Sequence, residues 1–202
     1  MLGGSFNPAH EGHNHVSVEA LRRLALDEVW WLVSPQNPLK SEEEMAPFED
    51  RVTRARAVAR HPRIRVTTFE TQLGTRFTVD TLRRLRKNYP ATSFVWVMGA
   101  DNLADFTRWH QWSTIFETVP IAVFARQSYD FKALNSPAAV RFRSYRLREA
   151  EAGELAGRSP PAWVFVPMRP HPASATELRR DGAWPPANAT RQSVTKGERS
   201  PS

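Results

Sequence analysis

Four segments of this 202-residue chain are unbroken runs of apolar, β-branched and aromatic residues: Val29–Val33 (VWWLV), 94–98 (FVWVM), 119–125 (VPIAVFA) and Trp163–Val166 (WVFV). None alternates with polar residues, so none suits a sheet with one wet face. Each reads as a strand buried on both sides, as in a parallel sheet covered by helices. A fifth segment, 64–69 (IRVTTF), does alternate and reads as a strand nearer an edge.

Helical patterns separate these runs. Val18, Leu21 and Ala25 share one face, as do Val52, Ala55 and Ala59, and Val79, Leu82, Leu85 and Tyr89. The opposite faces carry Arg22, Arg23, Arg56, Arg83, Arg86 and Lys87. Strands alternating with helices predict a three-layer α/β/α fold around a doubly wound, mostly parallel sheet. Residues 137–161 read as a polar helix bearing Arg141, Arg143, Arg146 and Arg148 and closed by Ser159-Pro160-Pro161. One domain is expected over residues 1–182. Residues 183–202, rich in Pro, Ser and Thr without apolar periodicity, read as a disordered tail.

The charge balance narrows the partners less than it first promises. Lys+Arg 28 against Asp+Glu 21 gives +7, which admits nucleic acid, an anionic membrane or a phosphorylated small ligand. No aromatic-basic interleaving marks a nucleic-acid surface, and no apolar run approaches the roughly 18 residues that span a bilayer. Neither nucleic acid nor membrane is expected as a partner. Zero Cys excludes disulfides, thiolate zinc sites and a cysteine nucleophile. No signal-peptide pattern opens the chain, so a cytoplasmic location is expected.

The segment with most chemistry in it is 3–13, GGSFNPAHEGH. Two glycines allow a tight turn with close backbone approach to a ligand. His10 and His13 then flank Gly12 where the first helix begins. A helix N-terminus offers unpaired N–H groups and partial positive charge, and two imidazoles there can donate to phosphate oxygens. A zinc pair would want a third ligand and i,i+4 spacing, so no metal site is expected. Only Met1 and Leu2 precede the glycines, so the first strand is truncated. It is either a stub or continues upstream of Met1, the second being favoured.

This segment resembles the His-x-Gly-His signature of the nucleotidyltransferase superfamily that includes the adenylyltransferases, with a Rossmann-like sheet. A second element of that superfamily, Ser/Thr-rich and basic at a helix start, is matched by Ser174-Ala175-Thr176-Glu177-Leu178-Arg179. Three further segments are similar to nicotinate-nucleotide adenylyltransferases of the bacterial type: Ser34-Pro35-Gln36-Asn37-Pro38-Leu39-Lys40, Arg76-Phe77-Thr78-Val79-Asp80-Thr81-Leu82, and Gly99-Ala100-Asp101-Asn102-Leu103 followed by Phe106 and Trp109.

The resemblance implies adenylyl transfer from ATP to nicotinate mononucleotide, giving deamido-NAD and pyrophosphate, with Mg²⁺ arriving on ATP. It implies His10, His13 and Arg179 as the catalytic groups. Gly4, Ser5, Phe6, Lys40, Gly99, Asp101, Ser174 and Thr176 join them around ATP. Phe77, Thr78, Val79, Trp109 and His110 form the pyridine pocket, with Trp109 stacked on the ring and N–H groups near Thr78 and His110 meeting the carboxylate. Trp30, Trp31, Trp96 and Trp112 read as packing, and His15, His61 and His171 as structural or surface residues.

Overall fold

The computed structural model describes residues 1–36, 45–125, 130–169, 171–173, 175–180, 182 and 184. Its centre is a seven-stranded sheet: β1 (Leu2–Gly4), β2 (Val29–Val33), β3 (Ile64–Thr67), β4 (Trp96–Gly99), β5 (Ile121–Phe124), β6 (Arg146–Leu147) and β7 (Trp163–Val166), in the order β3-β2-β1-β4-β5-β7-β6. Every pairing is parallel. The alternating segment forms β3 and does sit at an edge, ending at Thr67.

The continuous apolar runs are explained by burial on both faces. Trp96 and Met98 of β4, Ile121 and Val123 of β5, and Trp163 and Phe165 of β7 point into one core. Val97, Ala122, Phe124, Val164 and Val166 point into the other. The first core is covered by α4 (Thr78–Asn88), α5 (Ala100–Ala104), α6 (Trp112–Thr118) and α8 (Pro137–Arg141). The second is covered by α1 (Glu11–Arg23), α2 (Phe48–Val58) and the 3₁₀ stretch Glu149–Gly157. Trp31, Trp96 and Trp163 are almost fully buried. Each removes on the order of 200 Å² from water, roughly 5 kcal/mol at 25 cal/mol/Å².

Two expectations are corrected. The buried face of α1 is Ser17, Ala20 and Leu21, with Leu24 at its C-cap, while Val18 is exposed and Ala25 has left the helix in a left-handed turn. Trp31 sets that rotation by donating its indole N–H to Ser17 Oγ at 2.7 Å. Residues 137–161 are not one helix. Ser136 caps the short α8, Phe142 turns inward, and Arg146 and Leu147 extend to pair with Trp163 and Val164. Phe142 stacks on Phe116 at 4.3 Å and its carbonyl accepts from Trp163 Nε1, so core packing breaks the helix.

The short first strand lies inside the sheet, between β2 and β4. Three residues of β1 pair with Trp31, Leu32 and Val33, and Leu2 also faces Val97. The Met1 ammonium donates to Val95 O at 2.7 Å, and burial lowers its pKa to about 5. No helix among the described residues is long and apolar enough to cross a membrane.

Gly3 lets Trp96 lie directly across β1. A Cβ there would come within 2.8 Å of Trp96 Cζ2 and nearer still to Cη2, so the indole or β1 itself would have to shift. Gly3→Ala is therefore expected to destabilise the fold by about 1–3 kcal/mol, measured by urea unfolding followed through tryptophan fluorescence.

Candidate active site

The strand order reverses between β1 and β4, and an open parallel sheet leaves a crevice beyond the strand ends at such a point. The segments that follow β1, β2, β4 and β7 converge there. After β1 the chain turns through Phe6, held at φ 47, stacked on Trp31 (5.1 Å) and tilted against His13 (4.8 Å). Phe6 is buried, so aromatic packing holds a backbone geometry that a phenylalanine seldom adopts.

His10 and His13 form a reciprocal cap on α1. Gly12 N donates to His10 Nδ1 at 3.1 Å, and His10 N donates to His13 Nδ1 at 3.2 Å. Both δ nitrogens are thereby acceptors, which puts the proton of each ring on Nε2. The rings lie 4.0 Å apart at the positive end of a 13-residue helix. The backbone thus fixes both tautomers, and two Nε2–H groups at a helix N-terminus suit an anion.

Arg179 reaches the same place from the far end of the chain. It lies on α9 (Ala175–Arg180), and its Nη1 donates to Asn7 O at 2.6 Å while Nη2 lies 3.4 Å from Thr176 Oγ1. Asn7 Oδ1 accepts from Ala46 N and from Trp184 Nε1. The two motifs, 172 positions apart, thus meet directly. Lys40 and Ser174 lie outside the described residues, as does the region 185–202. Gly99 caps α5, which puts Asp101 in the first turn of that helix, beyond the end of β4.

Beneath these loops lies Arg51, which the sequence reading did not single out. It is 1% exposed. Its Nε donates to Ala46 O (3.0 Å), Nη1 to Ser5 O (2.6 Å) and Ser34 O (2.7 Å), and Nη2 to Pro35 O (2.8 Å). Burial lowers its pKa to about 10, so it remains a cation at neutral pH.

Beside the anion site opens a cavity of about 330 Å³ lined by Gly3, Gly4, Ser34, Trp96, Arg108 and Trp109, and also by Glu70, Arg76, Phe77, Thr78 and His110. Four of the five expected pyridine-pocket residues are here. Phe77 stacks on His110 at 4.2 Å, and Trp109 leans on Phe106 at 5.0 Å. The fifth, Val79, turns its side chain into the core under α4, where it is fully buried. Helical geometry forces this, since Thr78 begins α4 and the next position points inward. Trp96, read as packing, is both core and cavity wall.

Glu70 is the unexpected member. It sits on α3 (Phe69–Leu73), is 5% exposed, and its Oε2 has no hydrogen-bond partner among the described residues. Desolvation raises its pKa from 4.5 to about 7, partly opposed by a hydrogen bond with Ser34. Nothing near it in sequence marks it, because its surroundings come from β2 and from α4.

With this geometry established, comparison with known proteins is direct. The sequence profile of the cytidylyltransferase-like family matches residues 1–181, and the chain belongs to that family. Within it the chain falls among the nicotinate-nucleotide adenylyltransferases. A protein of Cereibacter sphaeroides named "probable nicotinate-nucleotide adenylyltransferase" is 51% identical over 184 residues, 91% of this chain and 97% of its own. A protein of the same name from Erythrobacter litoralis is 54% identical over 186 residues, 92% of this chain and 85% of its own. The fold is that of Plasmodium falciparum nicotinic acid mononucleotide adenylyltransferase, solved in complex with NaAD: TM-score 0.67 at 15% identity, over 89% of this chain and 80% of that one.

Two measurements check the site's internal chemistry. Arg51→Lys keeps the charge but loses the planar fork, and should cost about 2–4 kcal/mol in urea unfolding because buried carbonyls lose their donors. Glu70 holds a proton in the fold up to about pH 7 that the unfolded chain releases from about 4.5. Its contribution is fully present below 4.5 and lost as pH rises through 7. The unfolding free energy of Glu70→Gln relative to the parent should therefore improve by about 3 kcal/mol between pH 4.5 and 8.

Proposed function

We propose that this chain transfers the adenylyl group of ATP to the phosphate of nicotinate mononucleotide, forming deamido-NAD and releasing pyrophosphate. The observation that carries the reading is the juxtaposition of His10, His13 and Arg179 with the aromatic cavity of Phe77, Trp109 and His110. One half suits a polyphosphate and the other a flat ring, and they are contiguous through Gly4. The names of the relatives point to the same reaction.

An oxygen of the acceptor's phosphate attacks the α-phosphorus of ATP. The bond from that phosphorus to the bridging oxygen of the β-phosphate breaks, and the electron pair leaves with pyrophosphate. The nucleophile is already an anion, so no strong base is needed, and catalysis consists of alignment and charge stabilisation. His10 and His13, protonated on Nε2, donate to oxygens on which negative charge grows. Arg179 exchanges the Asn7 carbonyl for the triphosphate, with Thr176 beside it, and Lys40 and Ser174 complete the grip. Gly4, Ser5 and Phe6 bring the backbone close, and Gly99 and Asp101 border the same crevice from β4.

Mg²⁺ carried on ATP and held by the triphosphate and water would neutralise phosphate charge. In the cavity, Trp109 stacks on the pyridine ring and the N–H groups near Thr78 and His110 receive the carboxylate. An amide would present NH₂ to those donors, which favours the acid.

Pyrophosphate release with ATP and either nicotinate or nicotinamide mononucleotide tests the assignment. Product is expected with the acid and much less with the amide, and no product with either would refute it. His13→Ala should lower kcat/KM by about 10²-fold or more by removing a transition-state donor. A near-parental rate would leave His13 a helix cap.

A further inference from the structure

Catalysis as described leaves Glu70 without a task, yet Glu70 lines the cavity proposed to hold the acceptor's ring. It is buried, it lines the cavity with Trp109 and His110, and its Oε2 has no hydrogen-bond partner among the described residues. A second orphan lies in the same wall, the indole N–H of Trp96, 2% exposed and likewise without a partner among them. Buried polar atoms of native proteins are almost always satisfied. Both atoms lie just behind the cavity surface, so the Glu70 carboxyl faces any occupant across a poorly hydrated wall, where a charge acts strongly.

The charge of Glu70 then matters. Ser34 bonds to Glu70, and its Oγ also lies 3.0 Å from Gln36 O. The hydrogen bond with Ser34 favours the carboxylate, and burial outweighs it. The cations facing the cavity are Arg76 and Arg108, and His110 is the other titratable group in it. On α4, Asp80, Arg83 and Arg84 line a neighbouring cavity, Arg84 reaching Leu73 O. The adjacent strand β2 carries no titratable side chain.

We propose that Glu70 is a proton-linked specificity residue, which stands as the neutral acid when the anionic pyridine nucleotide binds and, once ionised, repels the nicotinate carboxylate and tolerates the amide. The inference rests on the acceptor occupying this cavity, as in the proposed reaction. Two like charges in so small a space change affinity on the order of tenfold. Because burial holds the Glu70 proton to about pH 7, the acid-over-amide preference falls as pH rises past neutrality.

The experiment measures KM for nicotinate and nicotinamide mononucleotides at saturating ATP from pH 6 to 8.5, in the parent and in Glu70→Gln. Calorimetry of nicotinate mononucleotide binding, in buffers of different ionisation heat, counts protons. In the parent, KM for the acid should rise about tenfold with pH and that for the amide much less, with net proton uptake near pH 8. Glu70→Gln should flatten the acid's profile and lose that uptake. The acceptor's own phosphate titrates near pH 6 and contributes equally to both proteins. Profiles shared by the parent and Glu70→Gln would assign the dependence to His110 and overturn the proposal, as would proton-neutral binding by the parent at pH 8. Turnover without linkage defeats this inference alone, whereas absence of product with both acceptors defeats the functional reading beneath it.

Discussion

A single buried cation organises the crevice. Arg51 gathers carbonyls from the loop after β1, the loop after β2 and the entry to α2, so three segments take their positions from one planar group. No carboxylate among the described residues pairs with it, and burying such a charge is costly unless every donor finds an oxygen. Four of its five N–H groups find one. The carbonyls in turn are fixed in direction, and with them the peptide planes of Ser5 and Ser34 that border the site. The guanidinium also leaves an unneutralised positive charge beneath a place suited to phosphate.

Most of the chain's other cations act elsewhere. Arg22 and Arg23 pair with Glu19, Arg65 with Glu28, and Arg158 with Glu154, all at or near the surface. Pairs of this kind contribute little to stability. The net +7 is therefore a property of the outer helix faces and the basic C-terminal stretch, with Arg191, Lys196 and Arg199 against Glu198. The site depends on where a few groups sit: two imidazole donors and two cations, Arg179 and the concealed Arg51.

Legibility in the sequence follows the range of the interactions involved. The β4 run FVWVM can be read directly because every residue in it is buried, with Trp96 and Met98 on one side and Val95 and Val97 on the other. His10 and His13 are legible because a local cap defines them. α1 is misread in rotation since Ser17, a polar residue, is buried by a hydrogen bond to Trp31 fourteen positions away. The stretch after Ser136 looks helical, yet Phe142 and β6 answer to Trp163 and break it up. Arg51 and Glu70 carry no local signature at all. One binds carbonyls up to 46 positions distant and the other becomes unusual only when β2 and α4 close around it.

The contact between Arg179 and Asn7 has a temporal side. The polypeptide is made from its N-terminus, and both imidazoles emerge within the first thirteen residues. Their cationic counterpart leaves the ribosome only after all seven strands have been synthesised. A nascent chain can therefore complete most of its sheet while its phosphate-binding residues remain unmatched. The crevice is thus completed only after the strands that frame it, and a chain not yet extended to Arg179 lacks one of its groups.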